Sequence, residues 1–197
     1  MGKLLRLERA AAPAVQVPGG THGTFTLFSQ AGGAALAADP TAYTMGVQFK
    51  VSTVGVNSAT LTAVWFNSPA GAASLPGMIA LYLVAGTVLI MSQAAAWSGV
   101  AGAGWVRAPV TSPPALTLGA SYKACILMAV GANFYGSTAN YWTSGAGGAG
   151  ITNGPLSAPN NAGGDGGQDT FNQSAVLTYP LTSFNATNYW VDPEVAT

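Results

Sequence analysis

Tyr43-Thr44-Met45-Gly46-Val47-Gln48-Phe49-Lys50-Val51-Ser52 decides the fold class. Met45, Val47, Phe49 and Val51 alternate with Thr44, Gly46, Gln48, Lys50 and Ser52. A strict period of two sends alternate side chains to opposite faces of a strand, and predicts one buried face and one wet face. Upstream, Thr24-Phe25-Thr26-Leu27-Phe28 reads as a first short strand. Downstream, Leu61 to Phe66 repeats the theme and stops at Asn67-Ser68-Pro69. Ile79 to Val84, then Ala85-Gly86-Thr87, then Val88 to Met91 reads as a hairpin with glycine in its turn. Trp105 to Val110 forms the next strand, and Pro113-Pro114 marks a corner. Ser121 to Val130 is almost continuously apolar, which fits a central strand covered on both faces.

Near the C-terminus, Phe184-Asn185-Ala186-Thr187-Asn188-Tyr189-Trp190-Val191-Asp192 is dense in aromatic and β-branched residues. Tyr189-Trp190-Val191 are strong strand formers, and a side chain as large as Trp190 at a chain end signals a docked end. The stretch predicts a closing strand that pairs with an early one, as Greek-key wiring requires. No segment of the body carries helix caps with a sustained 3.6-residue period. Many short strands at roughly 8–12-residue spacing imply an all-β jelly roll or β-sandwich. The expected organisation is an extended arm over residues 1–20 and a single sandwich domain over residues 21–197.

Only 6 % of the 197 residues are charged, against roughly 25 % in an average soluble domain. Six basic residues balance six acidic ones. Neutrality promotes association, so a surface this poor in charge is either covered by partners or a product of compositional drift. Lys3, Arg6 and Arg9 all lie in the arm, and the body has no basic patch, which argues against a nucleic-acid partner. The longest strongly apolar uncharged segment, Met78 to Met91, has 14 residues, short of the ~20 that span a bilayer. No membrane partner and no ordinary export signal are expected.

In the arm, Leu4, Leu5 and Leu7 interleave with Lys3, Arg6 and Arg9 before Pro13 and Pro18-Gly19-Gly20 break any regular structure. Such a stretch is either a disordered leader or an arm ordered by a neighbouring subunit that holds it down, and the second reading is favoured. These six residues are therefore the expected partner-binding set. From Asn133 to Thr170 the strand pattern dissolves into glycine-rich sequence, the mark of binding loops or lids.

The catalytic inventory is thin. His22, the single histidine, sits in the loop Gly20-Thr21-His22-Gly23, and no Ser/His/Asp set suggests itself. Cys125, the single cysteine, lies in an apolar run and reads as a small core residue. Glycoside hydrolysis needs two positioned carboxylates, and the six acids here offer no such pair. Asp165 and Asp169 are calcium candidates by ligand type, yet their spacing matches no calcium loop. No cofactor and no metal are expected. Aromatic residues are the more plausible functional groups: Phe134, Tyr135, Tyr141 and Trp142 border the irregular segment. They either stack on sugar rings or plug the mouth of the sandwich.

Several stretches resemble a bacterial, mainly actinobacterial, extracellular jelly-roll family. Tyr43 to Phe49 resembles its opening strand, and Gly104 to Val110 with Leu116 to Tyr122 its middle. Asn153-Gly154-Pro155-Leu156 and Thr187-Asn188-Tyr189-Trp190-Val191-Asp192 are similar to its end. The resemblance covers about residues 43–195 and implies an extracellular setting beside polysaccharide-active modules, with glycan binding as the candidate activity. The leucine/basic arm and the lack of an export signal depart from that setting. They fit a bacteriophage virion protein made in the host cytoplasm. The leading expectation is thus a non-enzymatic capsid decoration or minor capsid protein on the virion surface. It would be anchored by residues 1–20 to the major capsid protein or another virion subunit, as a homo-oligomer with a trimer favoured. The alternative is a glycan-binding adhesion module of a phage tail or cell surface, with a host-surface glycan as partner.

Overall fold

The computed structural model describes residues 22–30, 32–33, 35–129 and 134–197, the side chains of Ala38 and Phe134 excepted. Thirteen strands follow one another: β1 (Thr24–Thr26), β2 (Ala35–Ala38), β3 (Tyr43–Val51), β4 (Thr60–Ser68), β5 (Met78–Leu83), β6 (Val88–Ala94), β7 (Gly104–Pro109), β8 (Ser121–Met128), β9 (Phe134–Ser137), β10 (Ile151–Asn153), β11 (Leu156–Ala158), β12 (Asp169–Gln173) and β13 (Val191–Ala196). Helix is confined, among the described residues, to two single 3-10 turns, Ala85–Thr87 and Asn161–Gly163.

The strands make an antiparallel β-sandwich with Greek-key wiring. One sheet runs β1-β13-β4-β7; the other runs β10-β11-β3-β8-β5-β6, with β12 also paired to β3. A separate ribbon, β2-β9, lies outside both sheets. The closing strand β13 inserts between β1 and β4, so the last residues of the chain hold the first strand in place. Strand β8 is central, between β3 and β5, as its apolar run requires. The core between the sheets takes Met45, Val47, Phe49 and Val51 of β3, Leu61, Val64 and Phe66 of β4, and Ala124, Ile126 and Met128 of β8.

The outer face of β3 departs from the expectation of a wet face. Thr44 and Gln48 are buried, and of the nine strand residues only Lys50 is exposed. The segments that flank β12, around Asp165 and from Leu177 to Pro180, fold over this face, while β12 itself lies beside β3 in the sheet. Lys123, on the same side of β8, is fully buried and donates to Asp165 O at 2.6 Å, Pro180 O at 2.9 Å and Thr170 Oγ1 at 3.0 Å. Gln48 Oε1 accepts from Asp165 N–H, and Thr44 Oγ1 accepts from Thr178 N–H. Ala80, Tyr82 and Cys125 form a second small core under Leu177 and Tyr179. The polar residues that alternate along β3 are therefore partners for backbone groups of a covering layer, not a solvated surface. Gly46 is part of the same fit, because a Cβ there would collide with Cys125 Sγ and the Ala124 carbonyl.

Two further expectations are corrected. The stretch from 133 to 170 is not structureless: β9, the β10-β11 hairpin and the start of β12 lie in it. Their strands are three to five residues long, too short for periodicity to register. The closing strand begins at Val191, not Tyr189, because Trp190 sits at φ 57°.

Candidate aromatic binding pocket

One end of the sandwich carries an open pocket of about 240 Å³ lined by Asp39, Tyr43, Met45, Tyr135, Phe171, Phe184 and Tyr189. Each wall has a local cause. Tyr43 opens the inward row of β3 and Met45 follows it as the buried floor. Phe171 stands opposite Met45 in the β12-β3 register. Tyr135 is carried by β9, the strand paired with β2. Phe184 starts a tight turn whose Thr187 N–H and Oγ1 both return to Phe184 O, with Asn185 at φ 49° and Ala186 at φ 45°. Two consecutive left-handed residues are the mark of a type I′ turn, which alanine adopts only under strain. Tyr189 follows, fixed by its N–H to Asp169 Oδ2 at 2.8 Å.

Four rings close a cycle. Tyr43 and Tyr135 are 5.9 Å apart at 79°, Tyr135 and Tyr189 5.8 Å at 70°, Tyr189 and Phe171 6.3 Å at 79°, and Phe171 and Tyr43 5.6 Å at 86°. Successive walls are thus near perpendicular, the edge-to-face arrangement that ring quadrupoles favour. Phe184, 61 % exposed, stands free of these ring contacts at the mouth. Asp39 supplies the charge: its Oδ1 accepts from Thr41 N–H at 2.9 Å and its Oδ2 from Tyr43 Oη at 2.7 Å. The Tyr43 hydroxyl holds the Asp39 carboxyl below its ordinary range, so it is an anion at neutral pH. Burial pushes Tyr43 upward, Tyr135 up to about 12, and Tyr189 further still, so these phenols stay neutral.

Of the residues expected from sequence to bind glycan, Tyr135 is in this pocket. Phe134 begins β9, and its side chain lies outside the described residues. Trp142 is fully buried and cannot stack on a ligand. Tyr141 is half-buried against Trp142 at 5.0 Å and Trp190 at 5.4 Å. Both plug the interior, and that was the other option the sequence left open. Tyr43, Phe171, Phe184, Tyr189 and Asp39 were not singled out. The Asp39-x-x-x-Tyr43 spacing was a usable signal, but the pocket joins residues up to 150 positions apart and no linear pattern shows it.

The remaining candidates have other employment. Asp165 Oδ2 accepts from Tyr179 Oη, and Asp169 is wholly buried. No three His, Cys, Asp or Glu among the described residues gather as a metal site. Burial raises Asp169 to about 8 against the opposing pull of Tyr189 N–H, the Trp142 indole and Lys123. That indole lies close without reaching hydrogen-bond geometry, which leaves Trp142 Nε1 and Asp169 Oδ1 unpaired among the described residues. Asp192 accepts from Leu27 N–H at 2.6 Å and Phe28 N–H at 3.0 Å, and burial raises it to about 7. Glu194 takes two hydrogen bonds from Arg107 and others from Thr62 and Trp65, and Arg107 pulls it down to about 2. His22 is exposed, and Cys125 is buried with its thiol pushed well up. Lys3, Leu4, Leu5, Arg6, Leu7 and Arg9 lie outside the described residues, and with them the capsid attachment and trimer expected of the arm. No helix among the described residues is long and apolar enough to cross a membrane.

Fold and pocket define a β-sandwich domain with an aromatic-lined opening at one end. The chain belongs to the DUF4082 family, a domain of unknown function, which it matches over residues 29–191. No curated protein matches it. Among solved structures it is similar to the clostridial cysteine protease Cwp84 after propeptide cleavage, with 14 % identity and a TM-score of 0.46. That likeness covers 89 % of this chain and 40 % of the protease, so the chain spans well under half of that protein.

Proposed function

We propose that this domain is a non-catalytic glycan-binding module. The observation that carries the reading is the pocket: aromatic faces in the open mouth of a rigid sandwich, with one carboxylate and several hydroxyls at their edges. Sugars present apolar C–H faces and equatorial hydroxyls, and bind where aromatic surface and a few fixed polar groups converge. The six acids also favour binding over hydrolysis. Among the described residues, Asp169, Asp192 and Glu194 are committed to holding backbone or arginine, Asp165 accepts from Tyr179 Oη, and Asp39 is the one acid that lines the pocket. A glycosidase needs a second carboxyl across the bond.

The test is a glycan array probed with the intact chain and with a Tyr135→Ala/Phe184→Ala variant. Binding to a defined set of glycans, lost in the double variant while its thermal unfolding is retained, is the expected result. A flat response from the folded chain, or binding untouched by the two substitutions, would remove the proposal.

A further inference from the structure

We propose that the pocket selects a glycan bearing a cationic nitrogen, either the protonated amine of an amino sugar or a quaternary ammonium substituent. This rests on the glycan-binding reading and narrows it. A neutral pyranose stacks best on one flat ring or on two that are coplanar. Here each ring in the cycle Tyr43, Tyr135, Tyr189 and Phe171 stands at 70–86° to the next, so no two adjacent rings make a platform. Four near-perpendicular walls make a box. The face of an aromatic ring is negative, and a compact ammonium group within about 6 Å of several centroids is attracted to all of them at once. Adjacent rings, 5.6–6.3 Å apart, already touch edge to face, so such a group would sit at the centre of the cycle, within about 6 Å of each centroid.

Charge agrees with shape. Asp39 sits at the box with its carboxylate held ionised by Tyr43 Oη and Thr41 N–H, which use one acceptor position on each oxygen and leave further lone pairs free. Among the described residues no Lys or Arg lines the pocket to neutralise it. An anionic sugar meets repulsion from this carboxylate, and a neutral one gains a hydroxyl hydrogen bond to it but no ion pair. An ammonium gains both a charge-assisted hydrogen bond and the ring quadrupoles. For a quaternary nitrogen, which has no N–H to donate, the rings and the bare charge do the work.

The experiment is calorimetric titration of the intact chain with four probes: a glucosamine oligomer, its fully N-acetylated counterpart, a glucuronate-containing oligomer, and tetramethylammonium chloride. Asp39→Asn, which keeps the shape and removes the charge, is titrated in parallel. The expected result is affinity for the glucosamine oligomer roughly tenfold or more above the N-acetylated one, competition by tetramethylammonium, and loss of that preference in Asp39→Asn. Equal affinity for the amine and acetylated oligomers, unchanged by Asp39→Asn, would overturn the cation preference and leave glycan binding standing. Binding of tetramethylammonium with no response to any oligomer would overturn the glycan reading and with it this narrowing. Tighter binding of the glucuronate oligomer would overturn the charge argument outright.

Discussion

Two aromatic clusters meet at the Tyr189–Trp190 peptide, and they differ in what occupies their centre. The Trp190 cluster is closed: Phe28 lies 5.4 Å from Trp190 and 6.0 Å from Trp142, and Trp105 lies 6.1 Å from Trp190. Gly32 lets the Trp190 ring lie against its backbone, since a Cβ there would come within 2.7 Å of the ring. The Tyr189 cluster keeps an open centre of about 240 Å³ and an anion at its edge. The two sets are equally aromatic, so ring count does not separate core from site. The difference comes from a backbone reversal: with Trp190 at φ 57°, successive side chains enter different clusters. Left-handed backbone at a bulky residue costs energy and persists where its surroundings over-determine it. Here Asn188 Oδ1 holds the Trp190 N–H and Thr138 Oγ1 holds the indole.

The largest expected effect lies in the closed cluster. Trp142→Ala should lower stability in a denaturant titration by about 3–5 kcal/mol, the usual cost of emptying a buried tryptophan site. A loss below about 1 kcal/mol would mean that Trp142 is not the plug described here. Next comes Asp192→Ala, which strips the Leu27 and Phe28 N–H groups of their acceptor and should cost about 1–3 kcal/mol. The same titration, with hydrogen exchange at Leu27 and Phe28 rising first, would check it.

A pH series adds a third comparison. The carboxyls of Asp169 and Asp192 have folded-state pKa values of about 8 and about 7, above their ordinary 3.8. Between 3.8 and those values the folded chain keeps protons that the unfolded chain has released. Stability therefore falls as pH rises through this window. Glu194, held at about 2, stays ionised throughout it. Tm should be higher at pH 5 than at pH 8.5 by at least about 2–4 °C, the shift that about 1 kcal/mol produces in a domain of this size. Asp169→Asn should flatten the profile, and a Tm that rises with pH would contradict the burial of both acids. The smallest effect is expected at the open cluster: Phe184→Ala should change stability by no more than about 0.5 kcal/mol. A large loss there would make the pocket part of the core and erase the contrast between the clusters.

The architecture was largely legible because strands announce themselves locally. The alternation from Tyr43 to Ser52 and the apolar run of β8 needed no neighbours to interpret. What covered them was not legible. Thr44 and Gln48 look solvated in sequence, yet segments more than 40 residues away bury both, together with Lys123, and satisfy them with backbone groups. A period of two tells which residues share a face; it carries no information about what lies against that face. The same limit separated Tyr135 from Trp142. Both border one irregular segment, and only the positions of β12 and of Tyr189 make one a pocket wall and the other a plug.

By itself the sequence determined the sheet-only body, the central and closing strands and the scarcity of catalytic groups, because backbone preference and side-chain period act over a few residues. Tertiary structure alone decided which aromatic rings face an opening, which acids are charged and which face of β3 is covered. Ring exposure and carboxyl ionisation depend on the desolvation imposed by atoms from distant segments, and that is set only when Tyr43, Tyr135, Tyr189 and Phe171 are each brought within 7 Å of the next ring in the cycle.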